Sequence, residues 1–134
     1  LECIAALPAL ARPADCLPLL VAELAPGRPP RAQFHACIGI HRSAVRYGAP
    51  DAPEWRNVAA EVHLESRLLA CVGNLQSLGR SVGLWGNASP QRFANDDSCM
   101  RYALVEALRC VGACCSEQAA REALRLADEG SQIA

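Results

Sequence analysis

A chain of 134 residues, about half of them apolar, has the size and core material of one domain spanning residues 1–134. Aromatics make up only 4% and threonine is absent, so alanine and leucine supply the apolar share; this argues against a sheet and for closely packed helices. The net charge of −1, with arginine as the sole basic residue besides histidine, leaves no global footprint for nucleic acid or an anionic membrane, and no apolar run approaches the roughly 20 residues of a transmembrane span.

Residues 1–12, with Cys3 and Pro8, read as a short helix or turn. A first helix is expected over Pro13–Leu24, with Cys16, Leu17, Leu19, Leu20 and Val21 as its apolar residues and Pro18 tolerated near the first turn. The run Ala25-Pro26-Gly27-Arg28-Pro29-Pro30 is a stiff surface loop. A second helix follows over Arg31–Tyr47. Phe34, Cys37, Ile38, His41 and Val45 recur at helical spacing as its apolar face, Gly48 ends it, and Pro50 stands just beyond.

Asp51-x-x-Glu54 resembles a capping box, with Pro53 in the first turn of a third helix. Its stripe is Trp55, Val58, Val62, Leu69, Val72 and Leu75, with Cys71 alongside. The pattern extends towards Leu84, with a break or kink expected at Gly73 or Gly79. Gly83–Pro90 is turn-like, and Asn87-Ala88-Ser89 within it is a glycosylation sequon weakened by Pro90. Asp96 or Asp97 caps a fourth helix over Ser98–Cys114. Met100, Leu104, Leu108, Val111 and Cys115 lie on one stripe of it, and Cys99, Ala103, Cys110 and Cys114 on the next. Ser116 caps a last helix ending at Gly130, with a weak face of Ala120, Leu124 and Ala127. The expected fold is therefore all-α: a compact bundle of four to five helices.

Eight cysteines stand at positions 3, 16, 37, 71, 99, 110, 114 and 115. An even count at this density in a short chain points to a disulfide framework of about four bridges, made in an oxidising, extracellular setting. The opening residue, Leu1, fits a mature chain after removal of a signal peptide. Cys114 and Cys115 are adjacent and call for different partners. The simplest framework joins each of Cys3, Cys16, Cys37 and Cys71 to one of Cys99, Cys110, Cys114 and Cys115, and makes the fourth helix the hub. Zinc is disfavoured, because paired C-x-x-C knuckles are missing and His35, His41 and His63 lie far from the cysteine-rich end.

Catalytic patterns are sparse. Secreted phospholipases A2 carry a Cys-Cys-x-x-His-Asp-x-Cys site, whereas Cys114-Cys115 is followed by Ser116, Glu117, Gln118 and Ala119, and no histidine follows His63. No G-x-S-x-G, P-loop or dinucleotide fingerprint is present. Glu61 and Glu65, four apart, read as a solvated helix face. No cofactor is implied.

The most specific surface feature is basic. Arg31, His35, Arg42 and Arg46 fall at i, i+4, i+11 and i+15 of the second helix, one face by helical geometry, and Arg28 in the preceding loop extends it. The expectation is a secreted, non-enzymatic binding protein: a ligand, receptor ectodomain or host-directed effector that docks on another extracellular or cell-surface protein. The alternatives are a carrier of a lipid or other apolar small molecule, which needs a cavity, and a small secreted hydrolase or toxin enzyme using the histidines.

Overall fold

The structure, a computed structural model, describes residues 6, 11–81 and 96–131. Six helices stand among them and no strand: α1 (Pro13–Ala22), α2 (Pro30–Tyr47), α3 (Pro53–Glu61), α4 (Leu64–Ser81), α5 (Asp96–Cys114) and α6 (Glu117–Ser131). The all-α expectation holds, with one helix more than the sequence suggested. The sequon at Asn87, the Gly83–Pro90 turn and Cys3 lie outside the described residues, as do the side chains of Asp96, Asp97 and Cys99.

The additional helix comes from the expected third one. Its break falls at Val62-His63, while Gly73 and Gly79 lie inside α4. His63 takes a left-handed φ of 54°, and its N–H bonds to Ala60 O at 3.2 Å as the chain leaves α3. The elbow has a packing reason. An uninterrupted helix would carry Val62 and Leu69 as core residues; the turn leaves both half-buried and instead seals Leu64 and Leu68 beside Trp55, Cys71, Val72 and Leu75.

Three of the six helices begin with proline at the first position, where its missing N–H costs nothing. None of these three has a side-chain cap. In particular, Ala52 occupies the N-cap of α3, so Asp51-x-x-Glu54 is not a capping box. Glu54 is engaged elsewhere: its carboxylate accepts both Nε and Nη2 of Arg12, at 2.7 and 2.6 Å, pinning the start of α1 to α3. Gly48 closes α2 in the left-handed conformation, as expected; a Cβ there would stand 3.1 Å from that of Ala52. Ser116 caps α6 as expected, its Oγ accepting the N–H of Ala119 at 3.1 Å.

The helix α5 is central, as the sequence suggested: it packs most extensively on α2, and also on α4 and α6. The buried side of α2 is made largely of small residues. Ala32, Ala36, Cys37, Gly39, Ile40, Ser43 and Ala44 are the buried residues of α2 besides Gln33, and Ala103, Ala107, Cys110 and Cys114 are buried on α5. Of the expected apolar face of α2, Cys37 is fully buried and the rest is not. Phe34, Ile38 and His41 are half-buried and Val45 is 75% exposed. Short side chains let neighbouring backbones approach α2, and Phe34 packs at the edge of the buried side against Tyr102. The same correction applies on α6, where Ala119 and Ala123 are buried and Leu124 is exposed.

Two glutamines tie the layers together. Gln33, fully buried, donates to the carbonyls of Leu24 and Ala25 at 3.3 and 3.0 Å, satisfying the end of α1. Gln76 of α4 donates to the carbonyls of Leu126 and Ala127 in α6. Each bond satisfies backbone that would otherwise be costly to bury.

Candidate functional site

The outer face of α2 is the basic surface that the sequence singled out. The helix contains no Asp or Glu, and Arg31, Arg42 and Arg46 are all exposed. Arg46 lies over the Tyr47 ring at 5.7 Å, and Arg12 reaches the same ring at 5.8 Å. Two of the expected members behave differently. His35 is half-buried and meets the Phe34 ring edge-on at 5.4 Å. Arg28 is paired with Glu23 at 2.8 Å, so its charge is compensated before any partner arrives.

Sequence reading missed an aromatic neighbour of this face. Phe34 of α2 packs against Tyr102 of α5 at 6.0 Å between ring centroids, and Tyr102 and Val105 are both exposed. The apolar spacing of α2 had assigned Phe34 to the core. The signal that could have placed it outside is the competing run of small residues on the opposite side, Ala32, Ala36, Gly39 and Ser43, which suits a close helix contact better.

A second feature lies where α3, α4 and the α5–α6 junction meet. A cleft of about 400 Å³ is lined by the apolar Trp55, Ala59, Ala60 and Leu64 and by Asp51, Arg56, Glu65, Cys114, Cys115 and Ser116. A second cleft of about 330 Å³ shares Ala59, Ala60, Leu64 and Glu65 with it and ends at His63 and Ser66. Glu65 organises the corner. One carboxylate oxygen accepts the N–H of Ser116 at 3.1 Å and the other accepts its hydroxyl at 3.0 Å, placing negative charge at the N-terminus of α6. Trp55 is 1% exposed, and its buried indole N–H has no acceptor among the described residues.

The cysteines depart most from expectation. Among the described residues there is no disulfide: Cys16, Cys37, Cys71, Cys110, Cys114 and Cys115 are free thiols. They are nevertheless grouped. Cys37 of α2 lies in hydrogen-bonding contact with the thiols of Cys110 on α5 and Cys71 on α4. These contacts, reinforced by complete burial, push its thiol well above the ordinary value. The Cys110 thiol donates to Cys37 O at 2.9 Å, and the Cys114 thiol to Cys110 O at 2.7 Å. Cys16 is raised by burial and partly relieved by Ser43, whose Oγ is 3.8 Å away. Cys114 is raised by its contact with the neighbouring Cys115 thiol and then by burial. Cys115 alone of the six is not buried. The expected disulfide hub is therefore corrected: Cys37 and Cys71 meet Cys110 on the central helix as thiols, and Cys16 meets Ser43 of α2 instead.

Of the histidines, His35 and His41 share α2 and His63 sits at the α3–α4 elbow. Among the described residues, no three histidine, cysteine or carboxylate side chains are grouped to hold a metal ion, and no helix is long and apolar enough to cross a membrane. No family model, curated protein or solved structure matches the chain.

Proposed function

We propose that this chain is a non-enzymatic binding protein of an extracellular setting, and that it docks the outer face of α2 onto an acidic surface of another secreted or cell-surface protein. The observation that carries this reading is the composition of that face: Arg31, Arg42 and Arg46 exposed on a helix without a single carboxylate, in a chain whose net charge is −1. The segregation of charge is what supports it, since a balanced surface would scatter Asp and Glu among the arginines, as α6 does with Arg121–Glu117 and Arg125–Glu122. Exposed Val45 and the Phe34–Tyr102 pair add apolar contact area of the kind that anchors an interface rimmed by charge.

The test is binding of the purified chain to an array of secreted and cell-surface ectodomains, with affinity measured at two salt concentrations. Binding should weaken as salt rises. The Arg42→Glu/Arg46→Glu double variant should lose about tenfold or more in affinity, chiefly through slower association, and should flatten the salt dependence. Unchanged affinity in that variant removes this face from the function.

An oxidising setting also bears on the thiols. There, Cys37 and Cys110 form the pair whose oxidation by a protein disulfide would tie α2 to α5 with least movement, because their side chains already touch. Peptide mapping of the secreted chain without reduction checks this; recovery of both cysteines as free thiols overturns it.

A further inference from the structure

The helix α2 carries two faces able to pack, and the fold buries one. Ala32, Ala36, Gly39 and Ala44 belong to the buried face. The other is Phe34, Ile38, His41 and Val45, spaced i, i+4, i+7 and i+11. Alternating steps of four and three residues keep a stripe on one side of a helix, and this is the spacing with which one helix seats on another. Here the stripe stays at the surface: Phe34, Ile38 and His41 are half-buried and Val45 is 75% exposed. From Phe34 to Val45 it runs about 16 Å, or about three turns. Arg31, Arg42 and Arg46 stand about a quarter turn further round the same helix, and no carboxylate on α2 interrupts them. The Phe34 ring reaches Tyr102 of α5 at 6.0 Å between centroids, and exposed Val105, three residues on, lies on the same side of α5 as Tyr102.

We infer, resting on the docking reading above, that the partner presents an amphipathic helix to α2, with its apolar side along the Phe34–Val45 stripe and an acidic flank facing Arg31, Arg42 and Arg46. Two features select this occupant. A stripe at seam spacing accepts side chains that project at the same spacing from a second helix; an extended peptide, whose side chains alternate every second residue, does not match it. The arginines run along one flank of the stripe, so they complement carboxylates on the matching flank of the incoming helix and fix how that helix is turned about its own axis. A flexible polyanion would satisfy the arginines and leave the stripe in water. Val45, at the exposed end of the stripe, is the position where the incoming helix removes most apolar surface from solvent.

The experiment titrates the full chain into a labelled synthetic helical peptide of about 18 residues, with leucines at the same alternating spacing and glutamates along one flank, and follows fluorescence anisotropy. A second peptide of equal composition, with the leucines scattered round the helix, is the control. The patterned peptide should bind at least about tenfold more tightly than the scattered one. Val45→Asp should weaken it by about tenfold or more, with circular dichroism unchanged because the side chain is exposed, and Val45→Leu should keep the affinity. Failure of the patterned peptide to bind, equal binding of both peptides, or indifference to Val45→Asp overturns the inference. So does self-association of the chain, or binding to phosphatidylserine vesicles, that Val45→Asp abolishes, since the stripe would then belong to a second copy or to a membrane. A protein partner from the ectodomain array that is lost in Arg42→Glu/Arg46→Glu and kept in Val45→Asp would remove the docked helix alone and leave the charged face standing.

Discussion

The molecule contains two groups of thiols that share one helix and differ in almost everything else. Cys37, Cys71 and Cys110 meet where α2, α4 and α5 pack together, sealed from solvent. Cys114 and Cys115 stand at the end of α5, one nearly buried and the other on the wall of an open cleft. The first group touches only protein, and burial plus mutual contact keep Cys37 protonated. The second has solvent within reach and a carboxylate, Glu65, shaping the turn beside it. The same residue type is structural filling in one place and a chemical handle in the other, and the distinction follows from solvent access and from which neighbour holds the proton.

The largest effect expected of this contrast is kinetic. With iodoacetamide under native conditions, Cys115 should be labelled first, while Cys37, Cys71 and Cys110 wait for the fold to open. For a domain of ordinary stability, about 5 kcal/mol or more, that protection is on the order of a thousandfold or greater. Mass-spectrometric peptide maps over time measure the ratio, and comparable rates for the two groups would dissolve the comparison. Next in size is a change confined to the seam. Ala107→Leu puts three extra carbons where Ala107 is fully buried on α5, and should cost about 1–3 kcal/mol in urea unfolding. It should expose the three seam thiols to alkylation while leaving the Cys115 rate little altered. The smallest effect belongs to the corner. Ser116→Ala removes the cap of α6 and one bond to Glu65, which should cost about 1 kcal/mol and raise the labelling of Cys115 severalfold without touching the seam. A seam that loosens along with the corner would show that the two groups are one cooperative unit.

Much of the architecture was legible because punctuation is local. Gly48, Pro53 and Ser116 each act on the turn they sit in, and each marks a helix end where expected. Faces were harder to read, for a physical reason. Ranking positions by hydrophobicity selects Phe34, Ile38 and Val45 on α2, but the buried side of that helix is filled largely by small residues, Ala36, Gly39 and Ser43 among them. The elbow at His63 was illegible because the residue is neither glycine nor proline; only the packing of Leu64 and Leu68 requires it. The arginine positions on α2 were readable because helix periodicity alone sets them. The compensation of Arg28 by Glu23 was not, since it depends on how the α1–α2 loop folds back. The cleft joins residues from Asp51 to Ser116, a separation that no periodic pattern records.

The small buried residues of α2 and α5 limit how this chain can vary. Ala36, Gly39, Ala103 and Ala107 are all buried, and each sets an upper bound on side-chain volume at its own position. Glycine, alanine, serine and cysteine fill most of the buried positions of α2, and cysteine is the most apolar and polarisable of the four. Cysteine at positions 37 and 110 is then what selection for dense filling would choose even if no bond ever joined the sulfurs. A count of cysteines records both pressures as the same letter. Only the dimensions of the gap between two helices tell a bracket from a brick.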